Sequence, residues 1–175
     1  TAIWNHTNGT ITSAVTTRVG NLGGTATFNM YGGSLIASNF LSIGREATGD
    51  LNLYGGAITK VASTTTTVVV GGGGVGTGNG TLNMYGGTVD SSGATVQVAF
   101  GSGSLVGTVN LVGGTMLASN VSVDGGSGTI NLGTNATLKV GSQIRQTGTA
   151  PNGVINFNGG KLIANGSSTA FLTGL

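Results

Sequence analysis

The sequence predicts an all-β chain folded as a parallel β-solenoid of about seven coils, without helices, with residues 1–175 forming one repeat domain. Three observations carry this expectation. The composition is rich in glycine and β-branched residues and poor in charge, a short motif recurs seven times, and each copy alternates with a period of two.

Composition comes first because it removes most other classes. Of 175 residues, 36 are glycine and one is proline, and only 6% are charged, where an ordinary soluble domain carries roughly a quarter. Glycine accepts positive φ without steric cost, and Thr and Val favour strands, so this mixture points to many short strands joined by tight turns. Collagen would need glycine at every third position with far more proline, and a disordered linker would lack the recurring Leu, Ile and Val. A net charge of +2, with Glu46, Asp50, Asp90 and Asp124 the only acids, carries no nucleic-acid signature. Without cysteine there is no disulfide framework and no thiolate metal site. Gly, Thr or Ser interrupts every hydrophobic stretch before about 18 residues, so no membrane-inserting helix is expected. The sequence opens at Thr1 without a methionine, which fits either a removed export signal or an excerpt.

The repeat organises the chain. Its copies read Phe28-Asn29-Met30-Tyr31-Gly32-Gly33-Ser34-Leu35, then Leu51 to Ile58, Leu82 to Val89, Val109 to Met116 and Ile155 to Leu162. A degenerate copy begins at Ile130-Asn131-Leu132, and the first copy is Trp4-Asn5-His6-Thr7-Asn8-Gly9-Thr10-Ile11. The motif asparagines are Asn5, Asn29, Asn52, Asn83, Asn110, Asn131 and Asn156, at intervals of 24, 23, 31, 27, 21 and 25 residues. A second apolar segment follows each motif, from Val15–Val19 in the first copy to Phe171-Leu172 in the last. Length variation is expected at one corner only, between that segment and the next motif, and to be greatest at Gly71 to Gly80.

Within a copy, Leu51 and Leu53 face one way while Asp50, Asn52 and Tyr54 face the other. One copy cannot bury such an apolar face alone. Stacking copies about 4.8 Å apart lets each residue pack on its equivalent one coil away, giving a rod on the order of 34 Å.

These residues, G-T-L-N-M-Y-G-G-T-V and its relatives, resemble the glycine-rich repeats of autotransporter-associated β-strand passengers and other large bacterial surface adhesins. The resemblance spans the chain. It implies a β-solenoid exported from a Gram-negative-type bacterium to the cell surface or beyond, with a structural or adhesive role.

Candidate sites follow from the stacking. The seven asparagines should form a ladder in which each amide donates to the next oxygen. Tyr31, Tyr54 and Tyr85 hold one motif position in three consecutive coils and should stack as an exposed strip, which can also receive sugar rings or a neighbouring rod. Gly32-Gly33, Gly55-Gly56, Gly86-Gly87, Gly113-Gly114 and Gly159-Gly160 are the turn glycines. A column of Thr27, Thr81, Thr108 and Thr129 hints at an ice-binding plane, but Asp50 and Val154 interrupt it.

The chemistry-bearing motifs are weaker. Gly71 to Gly80 superficially suggests a phosphate loop, but lacks the Gly-Lys-Ser/Thr and the helix, and is expected to be a mobile bulge. Asp124 is the only aspartate before a Gly-Gly pair, so calcium-binding β-roll repeats are not indicated. Glu46 and Asp50 read as loop neighbours beside Arg45, and the single histidine, His6, as a core-edge residue. The sequence therefore predicts no enzyme, no catalytic or metal-binding residues and no cofactor. A polysaccharide-active β-helix enzyme is the least favoured alternative.

Neither end carries a helix or a polar cap, and the apolar segments run almost to both ends. The chain is thus expected to partner itself head to tail, through Ile3 and Trp4 at one end and Phe157, Phe171 and Leu172 at the other, as an open filament. The rival expectation is a passenger segment of a longer adhesin that binds extracellular carbohydrate.

Overall fold

The computed structural model describes residues 1–174, apart from 62–66, 74–76, 102–103, 125 and 148–152. Its described residues contain strands and turns and no helix, and seventeen strands join in one continuous sheet that winds around a common axis. All named strand pairs are parallel. Each strand lies on its equivalent one coil away, so three faces of seven rungs each form a β-solenoid with six coil-to-coil steps.

The first face holds the motif strands: β1 (Ala2–His6), β4 (Thr25–Met30), β7 (Thr48–Leu53), β10 (Asn79–Met84), the opening parts of β12 (Val106–Val123) and β13 (Ser127–Val140), and β15 (Val154–Asn158). The second face carries the aliphatic that closes each motif. It comprises β2 (Thr10–Ser13), β5 (Ser34–Ala37), β8 (Ala57–Lys60), the start of β11 (Thr88–Phe100), later segments of β12 and β13, and β16 (Lys161–Ala164). The third face is built from the second apolar segments: β3 (Thr17–Asn21), β6 (Leu41–Arg45), β9 (Thr67–Gly72), the ends of β11 and β12, β14 (Ile144–Gln146) and β17 (Leu172–Thr173).

Period two within each strand sends one set of side chains inward. Met30, Leu53, Met84, Leu111 and Leu132 stack in one buried column, and Leu35, Ile58, Val89, Met116 and Leu138 in another. Val19, Ile43, Val70, Val98 and Val123 close the third side. Like stacks on like, so an apolar residue is buried by its own equivalents and the core is continuous along the axis.

The first corner explains the paired glycines. A Cβ on Gly86 would meet the Tyr54 carbonyl oxygen at 2.7 Å, because successive coils approach closely there. Gly87 has φ 74° and its Cβ would meet the Gly56 oxygen at 2.5 Å, so this position excludes side chains for two independent reasons. Gly33, Gly56 and Gly114 repeat this geometry, whereas in the last rung Gly159 rather than Gly160 takes the positive φ.

Length variation is not confined to one corner, contrary to the sequence-based expectation. Between the second and third faces the connection runs from three residues after β5 to six after β8 and seven after β16. Any corner that leaves the stacked faces intact tolerates insertion. The run Gly71 to Gly80 is also more ordered at its flanks than expected: Gly71 and Gly72 end β9, and Asn79 and Gly80 open β10. Its centre, 74–76, lies outside the described residues.

Candidate functional site

The motif asparagines form a single file along the outside of the first face. Asn29 Nδ2 donates to Asn5 Oδ1 at 2.8 Å, and the pattern continues through Asn52 (2.8 Å), Asn83 (2.9 Å), Asn110 (2.8 Å), Asn131 (2.7 Å) and Asn156 (2.7 Å), each donating to the coil before. All six bonds run in the same sense. The file therefore has a polarity: Asn5 Nδ2 at one end and Asn156 Oδ1 at the other have no partner among the described residues.

Two positions beyond each asparagine, the tyrosines share a column. Tyr31 and Tyr54 stack with centroids 4.9 Å apart and planes 6° from parallel, and Tyr54 and Tyr85 at 4.9 Å and 8°. The rings therefore cover one another's faces and present their edges to solvent. Beyond Tyr85 the column thins to Val112, then Gly133, then Asn158. A groove of about 370 Å³ opens there, lined by Tyr85, Val112, Gly133, Thr134, Asn135 and Asn158 together with three of the ladder asparagines.

At the two ends the inward-facing residues have no further rung to cover them. Trp4 is 59% exposed and Phe157 53%, and Leu172 is also exposed, while Phe171 packs partly against the core. Ile3, expected with them at the end, instead stands in the outward-facing column of Thr27 and Asp50. Trp4 meets Phe28 edge to face with centroids 5.6 Å apart, and an apolar hollow of about 250 Å³ lies between the first coil and the second. Register places Trp4 in the column of Ile155, and His6 in the column of Phe157.

Several sequence-level readings find their places. His6 points inward, its ring stacked on Phe28 at 6.5 Å, and its Nε2 is buried without a partner. Arg45 Nε lies 3.6 Å from Glu46 Oε1. Asp50 is not their loop neighbour, as the sequence suggested, but sits within β7 between Thr27 and Thr81. Ile3 joins Asp50 and Val154 in breaking the threonine column, which leaves no uninterrupted threonine plane.

Two polar features were missed in the sequence. Lys60 is buried in the column position that holds Ala37 one coil earlier, its Nζ donating to the Val61 carbonyl at 2.6 Å, and desolvation lowers its pKa. The second is a buried carboxyl on the third side. Ser122 Oγ donates to Asp124 Oδ1 at 2.6 Å and lies 3.0 Å from Thr147 Oγ1, and Gln97 Nε2 reaches Asp124 Oδ2 at 3.5 Å. Burial raises the Asp124 pKa, opposed by the Ser122 hydroxyl, the Arg145 charge and Gln97. The alternation of Ser122, Val123 and Asp124 could have marked the serine and aspartate as one face. Their burial involves Gln97 and Thr147 from the neighbouring coils, contacts that period two within one strand does not encode. No group of three or more His, Cys, Asp or Glu side chains that could hold a metal occurs among the described residues.

No family model, curated protein or solved structure matches the chain. Its function must therefore be argued from the rod itself.

Proposed function

We propose that this chain is a structural rod unit that extends head to tail on copies of itself, as an extracellular filament at a Gram-negative-type cell surface. The observation that carries the reading is the matched polarity of the two ends. Asn156 offers an unpaired Oδ1 where the ladder would continue, and Asn5 offers an unpaired Nδ2. The strands at both ends run in the same direction, each with one free edge, and the exposed Trp4 and Phe157 are inward-facing residues of the same solenoid. A head-to-tail joint pairs donor with acceptor and sets Trp4 on Ile155 and Ile11 on Leu162, with His6 over Phe157. A head-to-head joint would set two amide donors against each other and make the strands antiparallel. Because the joint is heterologous and lies along the rod axis, it repeats without closing. The surface location rests on the resemblance of the motif to bacterial surface repeats.

The ends are also the vulnerable part of such a molecule, since an uncovered sheet edge recruits any similar edge. Negative-stain electron microscopy of the purified 175-residue chain tests the reading. Unbranched rods many times the length of one chain are expected. Dispersed single particles at all concentrations would overturn self-extension and would fit a segment whose ends are covered by other parts of a longer polypeptide.

A further inference from the structure

We propose that the groove beside Tyr85 binds a neutral saccharide. The inference is independent of whether chains extend end to end, since it concerns the side of the rod.

The groove arises from the sequence of one column. Tyr54 covers one face of Tyr85, but the next rung supplies only Val112 and the one after it Gly133, so no ring covers the other face. The register also slips here: between Leu111 and Gly113 stands one residue, whereas Gly133 and Thr134 stand between Leu132 and Asn135. This extra residue bulges the sixth coil and brings Thr134 and Asn135 to the groove wall, opposite the ladder. At about 370 Å³ the space falls in the range of small-molecule sites.

Its chemistry is specific. The lining contains no acid, lysine, arginine or histidine, so an ionised ligand would find no counter-charge. The ladder amides of Asn83, Asn110 and Asn131 each use one N–H and accept one hydrogen bond within the file. Each therefore keeps a second N–H and a second lone pair for a ligand. Asn135 and Asn158 add two more amides, and Thr134 a hydroxyl. A row of groups that both donate and accept, bounded by the apolar pair Tyr85 and Val112, matches a pyranose. Its hydroxyls also donate and accept, and its C–H face is apolar. Elsewhere in the stack Tyr54 has a ring on each face, and the groove lined by amides does not extend to Tyr31.

Saturation-transfer difference NMR tests the assignment, since it observes the ligand and works equally on monomers and large assemblies. The probes are cellohexaose, maltohexaose and chitohexaose, with hexagalacturonate as the charged comparison. Transfer to the ring C–H protons of at least one neutral probe is expected, at least about tenfold tighter than to hexagalacturonate. Val112→Tyr would extend the stack by one ring into the groove, and should abolish the transfer while the chain stays folded. Tyr31→Ala, at the far end of the stack, should leave it unchanged. Absence of transfer from every neutral probe, equal transfer from hexagalacturonate, or undiminished transfer in Val112→Tyr would each overturn the proposal. Electron microscopy of the same samples reads assembly separately, so loss of one property is not mistaken for loss of the other.

Discussion

Asn83 Nδ2 donates to Asn52 Oδ1 at 2.9 Å across 31 residues of sequence, the longest interval in the ladder. Neither the insertion between these rungs nor the change in coil length disturbs the contact. Register in this solenoid is thus set by the faces, and the corners absorb the differences. Replacing Asn83 by Ala removes two side-chain bonds, one to each neighbour. With about 0.5–1.5 kcal/mol per bond, a loss of about 1–3 kcal/mol is expected. Asn5→Ala removes only one bond, at an exposed end, and should cost less. Urea denaturation of the two variants measures the difference.

The glycines separate backbone conformation from close approach. Gly87 combines positive φ with a neighbouring carbonyl oxygen 2.5 Å from the position of a Cβ, whereas Gly24 has φ 87° and open space around it. Gly24→Ala should cost on the order of 1 kcal/mol through its backbone alone. Gly87→Ala must also push two coils apart, and should cost several times more. Comparison of their thermal midpoints reads this directly.

The tyrosine file has a middle. Tyr54 contacts a ring on each side, and each such pair contributes about 0.5–1.5 kcal/mol. Tyr54→Ala is therefore expected to cost about 1–3 kcal/mol, while Tyr54→Phe keeps both contacts and stays close to the parent. Chemical denaturation followed by near-ultraviolet circular dichroism reports both the stability and the loss of ring coupling.

Two carboxyl groups should give opposite pH dependences. Burial holds the Asp124 pKa above its ordinary value, so its contribution is complete below the usual carboxylate range and is lost as pH rises through the elevated folded-state pKa. Asp90 accepts hydrogen bonds from the Ser92 hydroxyl and backbone N–H, which lower its pKa. Its contribution is present above the ordinary value and is lost as pH falls through the lowered one. Melting temperatures between about pH 3 and pH 8 should show Asp124→Asn removing the loss on raising pH, and Asp90→Asn removing the loss on lowering it.

Much of the fold was legible because a solenoid repeats its own evidence. The alternation of Leu51, Asn52 and Leu53 assigns the inside and the outside of one rung, and its recurrence at Leu82, Asn83 and Met84 assigns the stacking. What the strand pattern could not supply was the cross-section. Leu35 and Ile43 both point inward, but only the corner around Ser38 to Phe40 decides that they lie on different faces. The groove beside Tyr85 was hidden for a related reason. It depends on a register slip at Gly133 and Thr134, and a motif alignment records that only as a degenerate copy. Lys60 was missed because it occupies a column filled by Ala37, and its long side chain reaches carbonyl oxygens at the corner.

The central claim is that rungs continue from one chain to the next, with Asn156 placed against Asn5 of a second copy. The absence of native cysteine makes this directly measurable. In a chain carrying both Asn5→Cys and Asn156→Cys, the two thiols of adjacent copies would lie about 4.8 Å apart. A short bis-maleimide should then yield a regular series of covalent multimers on a denaturing gel. Monomers alone, from folded protein at the same concentration in which Asn52→Cys with Asn83→Cys forms its internal link, would contradict it.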